Sequence, residues 1–225
     1  MNPYWDSFAD ELSWFVGRRK IEVGRLQPPG TWRASANVAR QFPTLTRLLS
    51  LAHVTEVRID GLAHVLFSWE PRDGECRSWL ARSPEPTPAS HVFPAHRLLL
   101  QSFGGIIERS NEPEGSWLLN LNDALTATEA THDASFIAEA SIFEHAGIAV
   151  PIDVHAYYSI AREANGNDTL CHRVNGDVLL FAQDHAFDHV VPLEGCPEYT
   201  LYRIQGAPTF DAWVEAVAAQ WTSPQ

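Results

Sequence analysis

The spacing of apolar residues along the chain predicts amphipathic helices separated by short strands. Near the N-terminus, large apolar side chains recur every three or four residues between Trp5 and Phe15, and Gly17 follows where a helix C-cap would stand. We therefore expect a helix from about residue 5 to residue 16 with one buried face. Four further segments show this periodicity: residues 44–52, the segment from Pro94 to Gly104-Gly105, residues 135–145, and the segment that begins at Thr209.

Strand character is clearest where two glycine-bearing turns separate three short runs. The turns are Asn165-Gly166-Asn167-Asp168 and Asn175-Gly176-Asp177, and the runs are residues 157–162, 169–174 and 178–183. Because Asn-Gly dipeptides favour the primed turns of tight hairpins, this pattern predicts a three-stranded antiparallel meander. Other runs with strand character are residues 21–26, 54–59, 63–69, 79–81 and 117–121.

At 225 residues, of which 45% are hydrophobic, the chain is long enough to bury a sizeable core. The proline-rich stretch from Ser83 to Pro88 favours an extended path and is the best candidate for a linker. We therefore divide the chain into residues 1–90, an N-terminal α+β region of unknown function, and a second domain over residues 91–225. Helices at both ends of the second domain, with strands between them, are typical of an α+β fold.

The net charge of −12 lies almost entirely in the second half of the chain. Residues 1–95 contain 11 Lys and Arg against 10 Asp and Glu, whereas residues 96–225 contain 5 against 18. Because an acidic surface repels phosphates, direct binding to nucleic acid is disfavoured. The same charge attracts a basic protein partner. The alternative is that the acidity only keeps the protein soluble.

Cysteine usage and hydropathy indicate a cytoplasmic protein. The three cysteines, Cys76, Cys171 and Cys196, are odd in number, lie far apart and form no CxxC pair, so they indicate neither a disulfide framework nor a zinc ribbon. The N-terminus lacks a basic segment followed by an apolar stretch, and no later run approaches the roughly 20 apolar residues that span a bilayer. We expect no membrane partner and no cofactor.

Several motifs of the second half occur in an order that is typical of one superfamily. In chain order they are Phe93-Pro94, Gly104-Gly105, Gly166-Asn167-Asp168, Gly176-Asp177-Val178 and Thr209-Phe210-Asp211-Ala212-Trp213. Over about residues 93–221 the chain thereby resembles the SUKH superfamily, which includes fungal cell-wall assembly regulators and bacterial immunity proteins. The resemblance implies a twisted antiparallel sheet flanked by helices, to which residues 1–90 add an N-terminal α+β segment.

The bacterial members of this superfamily bind and neutralise toxins, often nucleases. The resemblance and the acidity together predict a non-enzymatic immunity protein that binds a basic toxin domain. Loops carried on a rigid sheet are frequent recognition sites, and acidic loops steer a basic partner into contact. The candidate partner-binding residues are Glu108, Glu112, Glu114, Asp168, Asp177, Asp184 and Asp188.

Two alternatives remain open at this point. The first is a regulatory scaffold with an intracellular partner, as the eukaryotic branch of the resemblance implies. The second is a metal-dependent hydrolase, because Asp184-His185 and Asp188-His189 place two carboxylates and two imidazoles within six positions. Against catalysis, the sequence lacks the GxSxG, P-loop, GxGxxG and HExxH motifs. We therefore expect a protein that is not an enzyme.

Overall fold

A computed structural model of the protein describes residues 2–70, 76–113, 121–184 and 189–222, with the side chains of residues 121 and 122 left out. Within these residues the chain forms one open antiparallel sheet of 11 strands, with seven α-helices against it. The predicted α+β fold with an antiparallel sheet is confirmed.

The strands follow one another across the sheet in chain order as far as the ninth, after which the last two are exchanged. Because each pairs antiparallel with its neighbours, most of the sheet is a simple meander. The strands are β1 (Ile21–Gln27), β2 (His53–Ile59), β3 (Leu62–Trp69), β4 (Arg77–Arg82), β5 (Ile106–Ser110), β6 (Leu121–Ala124), β7 (Tyr157–Glu163), β8 (Asp168–His172), β9 (Val178–Phe181), β10 (Val190–Pro192) and β11 (Leu201–Ile204).

Helices cover both faces of this sheet. The α-helices are α1 (Pro3–Glu11), α2 (Ser13–Val16), α3 (Ala36–Gln41), α4 (Pro43–Ser50), α5 (Pro94–Leu100), α6 (Ser141–His145) and α7 (Phe210–Thr222). Three short 3₁₀ helices span Glu129–Thr131, Ala134–Glu139 and Val154–Ala156.

The core consists of one large cluster on the first face of the sheet and two smaller clusters on the second face. The large cluster joins α3, α4, α5 and α7 to the sheet and contains Trp79 and Leu180. On the second face, Leu80 packs under α1, and Leu179 packs under α6 and its 3₁₀ neighbours. Successive residues of a strand point to opposite faces, which explains why Trp79 and Leu80 belong to different clusters.

Most predicted elements are present, with changes at their ends. The meander is confirmed as β7, β8 and β9. The helix predicted over residues 5–16 is interrupted at Leu12, where φ and ψ are −101° and 36°. The single helix predicted over residues 135–145 is wrong, because Ala140 is extended with ψ of 114° and separates the 3₁₀ helix Ala134–Glu139 from α6. Of the strand predicted over residues 117–121, residues 117–120 lie outside the described part of the chain.

The sheet and the main core both continue across residue 90. β4, from the first segment, pairs with β5 from the second. The Trp221 ring lies 5.0 Å from the Trp79 ring and 5.9 Å from the Trp69 ring, measured between centroids. The division into two domains stays a prediction.

Candidate protein-binding surface

An arginine on β7 holds two carboxylates on the second face of the sheet. Arg162 pairs across the sheet with Asp123 of β6 and with Asp168 of β8, so the three side chains share a face. Nε of Arg162 donates to Oδ2 of Asp168 at 3.0 Å, and its Nη2 lies 3.1 Å from Oε1 of Glu129. The hydroxyl of Ser159 donates to the other oxygen of Asp168. The Arg162 guanidinium therefore neutralises part of the negative charge of Asp168 and Glu129, which are both buried.

Burial determines how these carboxyl groups ionise. Asp168 is 2% exposed, and desolvation raises its pKa to about 7, although the Ser159 hydroxyl and the Arg162 guanidinium act in the opposite direction. Desolvation likewise raises the pKa of Asp123 to about 6, against the charge of Arg82. Asp123 and Asp168 are therefore each expected to gain or lose a proton close to neutral pH.

Next to this cluster the surface opens into a pocket of about 550 Å³. Arg162 and Asp168 form part of its wall, and Asp133, Thr131 and Phe136 lie around them. The pKa of Asp133 is lowered because its carboxylate accepts hydrogen bonds from the Ser135 side chain and backbone. The pocket thus combines an ionised carboxylate, an aromatic wall and a buried carboxyl group that already pairs with the Arg162 guanidinium. Its part around Asp133 and Phe136 suits a long cationic side chain with an apolar stem.

The pocket lies between the sheet and a segment that we call the acidic cover, residues 129–156, which contains α6 and the three 3₁₀ helices. Ile137 and Phe143 anchor it to the core of the second face. Its charged residues are all acidic, and Glu139, Glu144 and Asp153 are exposed. The segment that covers the second face of the sheet therefore presents three carboxylates to solvent.

The seven predicted partner-binding residues lie in different environments. Glu108 and Asp168 are buried, at 8% and 2% exposure, so neither presents its carboxylate on an outer rim. Glu112 is partly exposed and pairs with Arg109 at 2.6 Å between Nε and Oε2. Asp177 accepts a hydrogen bond from Asn175, and Asp184 is exposed. Glu114 and Asp188 lie outside the described residues.

Two of the five described candidates are therefore buried, whereas the acidic cover carries three exposed carboxylates within one segment of the chain. The periodicity over residues 135–145 predicts a helix in this segment, but it marks only the buried apolar positions and does not show that the carboxylates between them are exposed. A signal for the cover exists in the sequence, since the chain has no Lys or Arg between Arg109 and Arg162. An uninterrupted acidic stretch of this kind identifies the region of the chain, although only the fold shows which of its carboxylates are exposed.

The alternative metal site is only partly described. Asp184 and His189 are exposed, and His185 and Asp188 lie outside the described residues. In the described ranges, no three His, Cys, Asp or Glu side chains are arranged to hold a metal ion. Metal-dependent hydrolysis by this segment stays a hypothesis.

No protein family model, curated protein or solved structure matches the chain. Membership of the SUKH superfamily therefore stays a prediction. Within the part of the chain that the structure describes, each helix is too short or too polar to cross a bilayer.

Proposed function

We propose that the protein is a cytoplasmic immunity protein that binds a basic toxin domain through the acidic cover and the adjoining pocket. The observation that carries this proposal is the grouping of exposed carboxylates Glu139, Glu144 and Asp153 beside a pocket that contains Asp133 and Asp168. The motif order that resembles the SUKH superfamily supports the same function.

The geometry suggests two stages of binding. The exposed carboxylates of the cover first attract the basic partner, and this attraction acts over about 8 Å at physiological ionic strength. A lysine or arginine of the partner then enters the pocket, where its charge meets Asp133 and its stem lies along Phe136.

The test uses the proteins encoded by the genes beside this one as candidate partners. Each is expressed with and without this protein, and growth and binding are measured. We expect one of them to inhibit growth alone, to lose its toxicity on co-expression, and to bind less tightly as salt concentration rises.

A charge-reversal variant locates the surface. Glu139→Lys, Glu144→Lys and Asp153→Lys together should weaken binding at least about tenfold, since each exposed pair contributes up to about 1 kcal/mol. The matched control reverses three exposed acidic residues of the other half, Asp6, Asp10 and Glu56, to lysine. Equal weakening by both triple variants would contradict a specific site. A partner that binds the cover without being toxic would favour the regulatory scaffold instead.

A further inference from the structure

The opposite end of the sheet has an exposed edge. β1 is the outermost strand and pairs only with β2 among the described residues, and residues 22–26 are all exposed. The N–H of Asp60 donates to the carbonyl of Lys20 at 2.8 Å, so Lys20 and Asp60 form a hydrogen-bonded pair. Hydrogen-bonded and non-hydrogen-bonded pairs alternate along an antiparallel ladder. Counting from this pair, Ile21 and Val23 direct their N–H and C=O groups away from the sheet. They are free to pair with another strand.

The β1 edge carries four exposed cations against one carboxylate on the strand itself. Arg18, Arg19, Lys20 and Arg25 all lie within or immediately before β1, and Nζ of Lys20 lies 3.6 Å from Oε1 of Glu22. Arg19 stacks on the Phe15 ring at 4.3 Å and lies 3.9 Å from Asp60, so it is already held by the fold. The structure places no carboxylate within ion-pair distance of Arg18 or Arg25 in the described residues. The edge therefore complements an acidic ligand.

Exposed apolar side chains occur on the edge strand and on neighbouring elements. Val23 pairs with Val57, and Leu62 pairs with Ile59, whose side chains both pack in the core cluster under α1. Val23 and Leu62 therefore lie on that face, and both are exposed. Trp14 of α2 is 70% exposed, and its ring lies 5.8 Å from that of Phe15. An added strand would thus find the exposed Val23 side chain beside the cations.

We propose that the β1 edge binds an extended acidic segment of another protein as an additional strand of the sheet. Backbone pairing with Ile21 and Val23 would give the register, and the cations would select acidic side chains. A second copy of the chain is disfavoured, because symmetrical pairing of two β1 strands would bring like charges together. This inference does not depend on the proposed function, since it concerns a different surface.

The test is direct titration with a labelled peptide of alternating valine and glutamate, about ten residues long. We expect binding that weakens with salt and slows amide exchange over residues 20–23. The same peptide with alternate backbone nitrogens methylated keeps its charge but cannot pair, and should bind at least about tenfold more weakly.

Two protein variants complete the design. Arg18→Glu, Lys20→Glu and Arg25→Glu together should abolish binding, whereas Arg33→Glu, Arg40→Glu and Arg47→Glu, an equal change at exposed positions elsewhere, should leave it within about threefold. Val23→Pro removes an outward N–H and should also weaken binding.

Three results would overturn the proposal. Equal affinity for the methylated and unmethylated peptides would show that the edge is a general anion-binding patch. Equally tight binding of single-stranded DNA, with no slowing of amide exchange over residues 20–23, would show the same. Dimerisation of the free protein that Val23→Pro abolishes would show that the edge pairs with itself.

Discussion

Glu108 is a buried carboxyl group with little compensation for its charge. It is 8% exposed and lies opposite the core residue Leu80. Burial raises its pKa to about 7, Arg109 lowers the pKa only in part, and the nearby charge of Asp123 raises it further. Ionised Glu108 therefore destabilises the folded state at neutral pH.

We predict that Glu108→Gln stabilises the protein in a pH-dependent way. The folded-state pKa lies above the ordinary value of 4.5, so the folded state binds the extra proton between about pH 4.5 and pH 7, and this contribution to stability is lost as pH rises through that window. Urea unfolding at pH 8 should show a gain of about 1–2 kcal/mol, falling towards zero at pH 5. Glu139→Gln, at an exposed position, is the control and should change neither value. A gain of the same size at both pH values would show that packing, not charge, is responsible.

For His96, burial lowers the pKa of the side chain, whereas for Glu108 it raises the pKa. His96 is fully buried, and its Nε2 donates to the carbonyl of Leu125 at 3.0 Å while its Nδ1 accepts from the Tyr158 hydroxyl at 3.0 Å. Desolvation lowers its pKa to about 4, so the ring is neutral in the folded protein at pH 7. The sequence shows an isolated histidine, for which a satisfied core position is an ordinary expectation. Its two partners follow only from the packing of α5 against β6 and β7.

At the scale of elements, the two turns of the meander place different demands on glycine. Gly176 has φ of 74°, and a Cβ there would lie 2.5 Å from the Phe93 ring. Gly166 has φ of 92°, but nothing lies within 4 Å of its Cβ position. The Asn-Gly sequence predicts both turns, since both need a positive φ. The contact with Phe93 could not be predicted, because it joins residues about 80 positions apart.

This difference gives a second prediction. Gly166→Ala should cost about 1–2 kcal/mol through the positive φ alone. Gly176→Ala should cost about 1–3 kcal/mol more, because its methyl group also meets the ring. Chemical denaturation of the two variants measures the difference. Replacing the ring by a smaller side chain, with Phe93→Leu in the Gly176→Ala protein, should recover part of this extra cost. The absence of any recovery would argue against the steric cause.

Two features of the fold could not be predicted from the sequence, and the structure shows why. β5 reads Ile-Ile-Glu-Arg-Ser, a pattern with no alternation, yet all five residues are buried. A bulge between its pairs with Leu80 and Ala81 disturbs the alternation, and its Arg109 pairs with Glu112. The break at Ala140 is also invisible in a periodic pattern, because one extended residue interrupts an otherwise helical segment. Local patterns thus gave the element types, whereas bulges and breaks depend on tertiary packing.

One helix end is satisfied by a distant residue. The N-cap of α4 is Phe42, which has no side-chain acceptor. Instead, Glu215 of α7 accepts hydrogen bonds from the backbone N–H groups of Thr44 at 2.9 Å and Leu45 at 3.1 Å. A carboxylate at a helix N-terminus also interacts favourably with the helix dipole. This contact ties the two halves of the chain together.

We therefore predict a graded loss of stability at this position. Glu215→Ala should cost about 1–2 kcal/mol, as for the loss of an N-cap, because the two N–H groups lose their acceptor. Glu215→Gln keeps one acceptor oxygen and loses the charge, so its cost should be intermediate. Denaturant midpoints measure both. Equal costs for the two variants would mean that the charge contributes everything and the hydrogen bonds nothing.

On the scale of the whole molecule, the two proposed surfaces lie far apart. The basic edge is at β1, and the acidic cover lies over β8 and β9, about seven strand spacings away. At about 4.8 Å per spacing this separation is about 34 Å along the sheet, well beyond the screening length of about 8 Å at physiological ionic strength. Charge changes at one surface should therefore leave binding at the other unaffected, and the two proposals fail or succeed separately.

The last prediction concerns whether the chain unfolds as one unit. The main core joins Leu45 and Trp79 to Trp221, the sheet runs through residue 90 from β4 to β5, and Glu215 caps a helix of the first segment. Separating residues 1–90 from residues 91–225 would expose this shared core, so we expect a single cooperative transition. Native-state hydrogen exchange should give equal opening free energies for the amides of β3 and β8, and calorimetry should show one peak. Two transitions, with β8 still protected after β3 has opened, would support the boundary predicted from the proline-rich stretch.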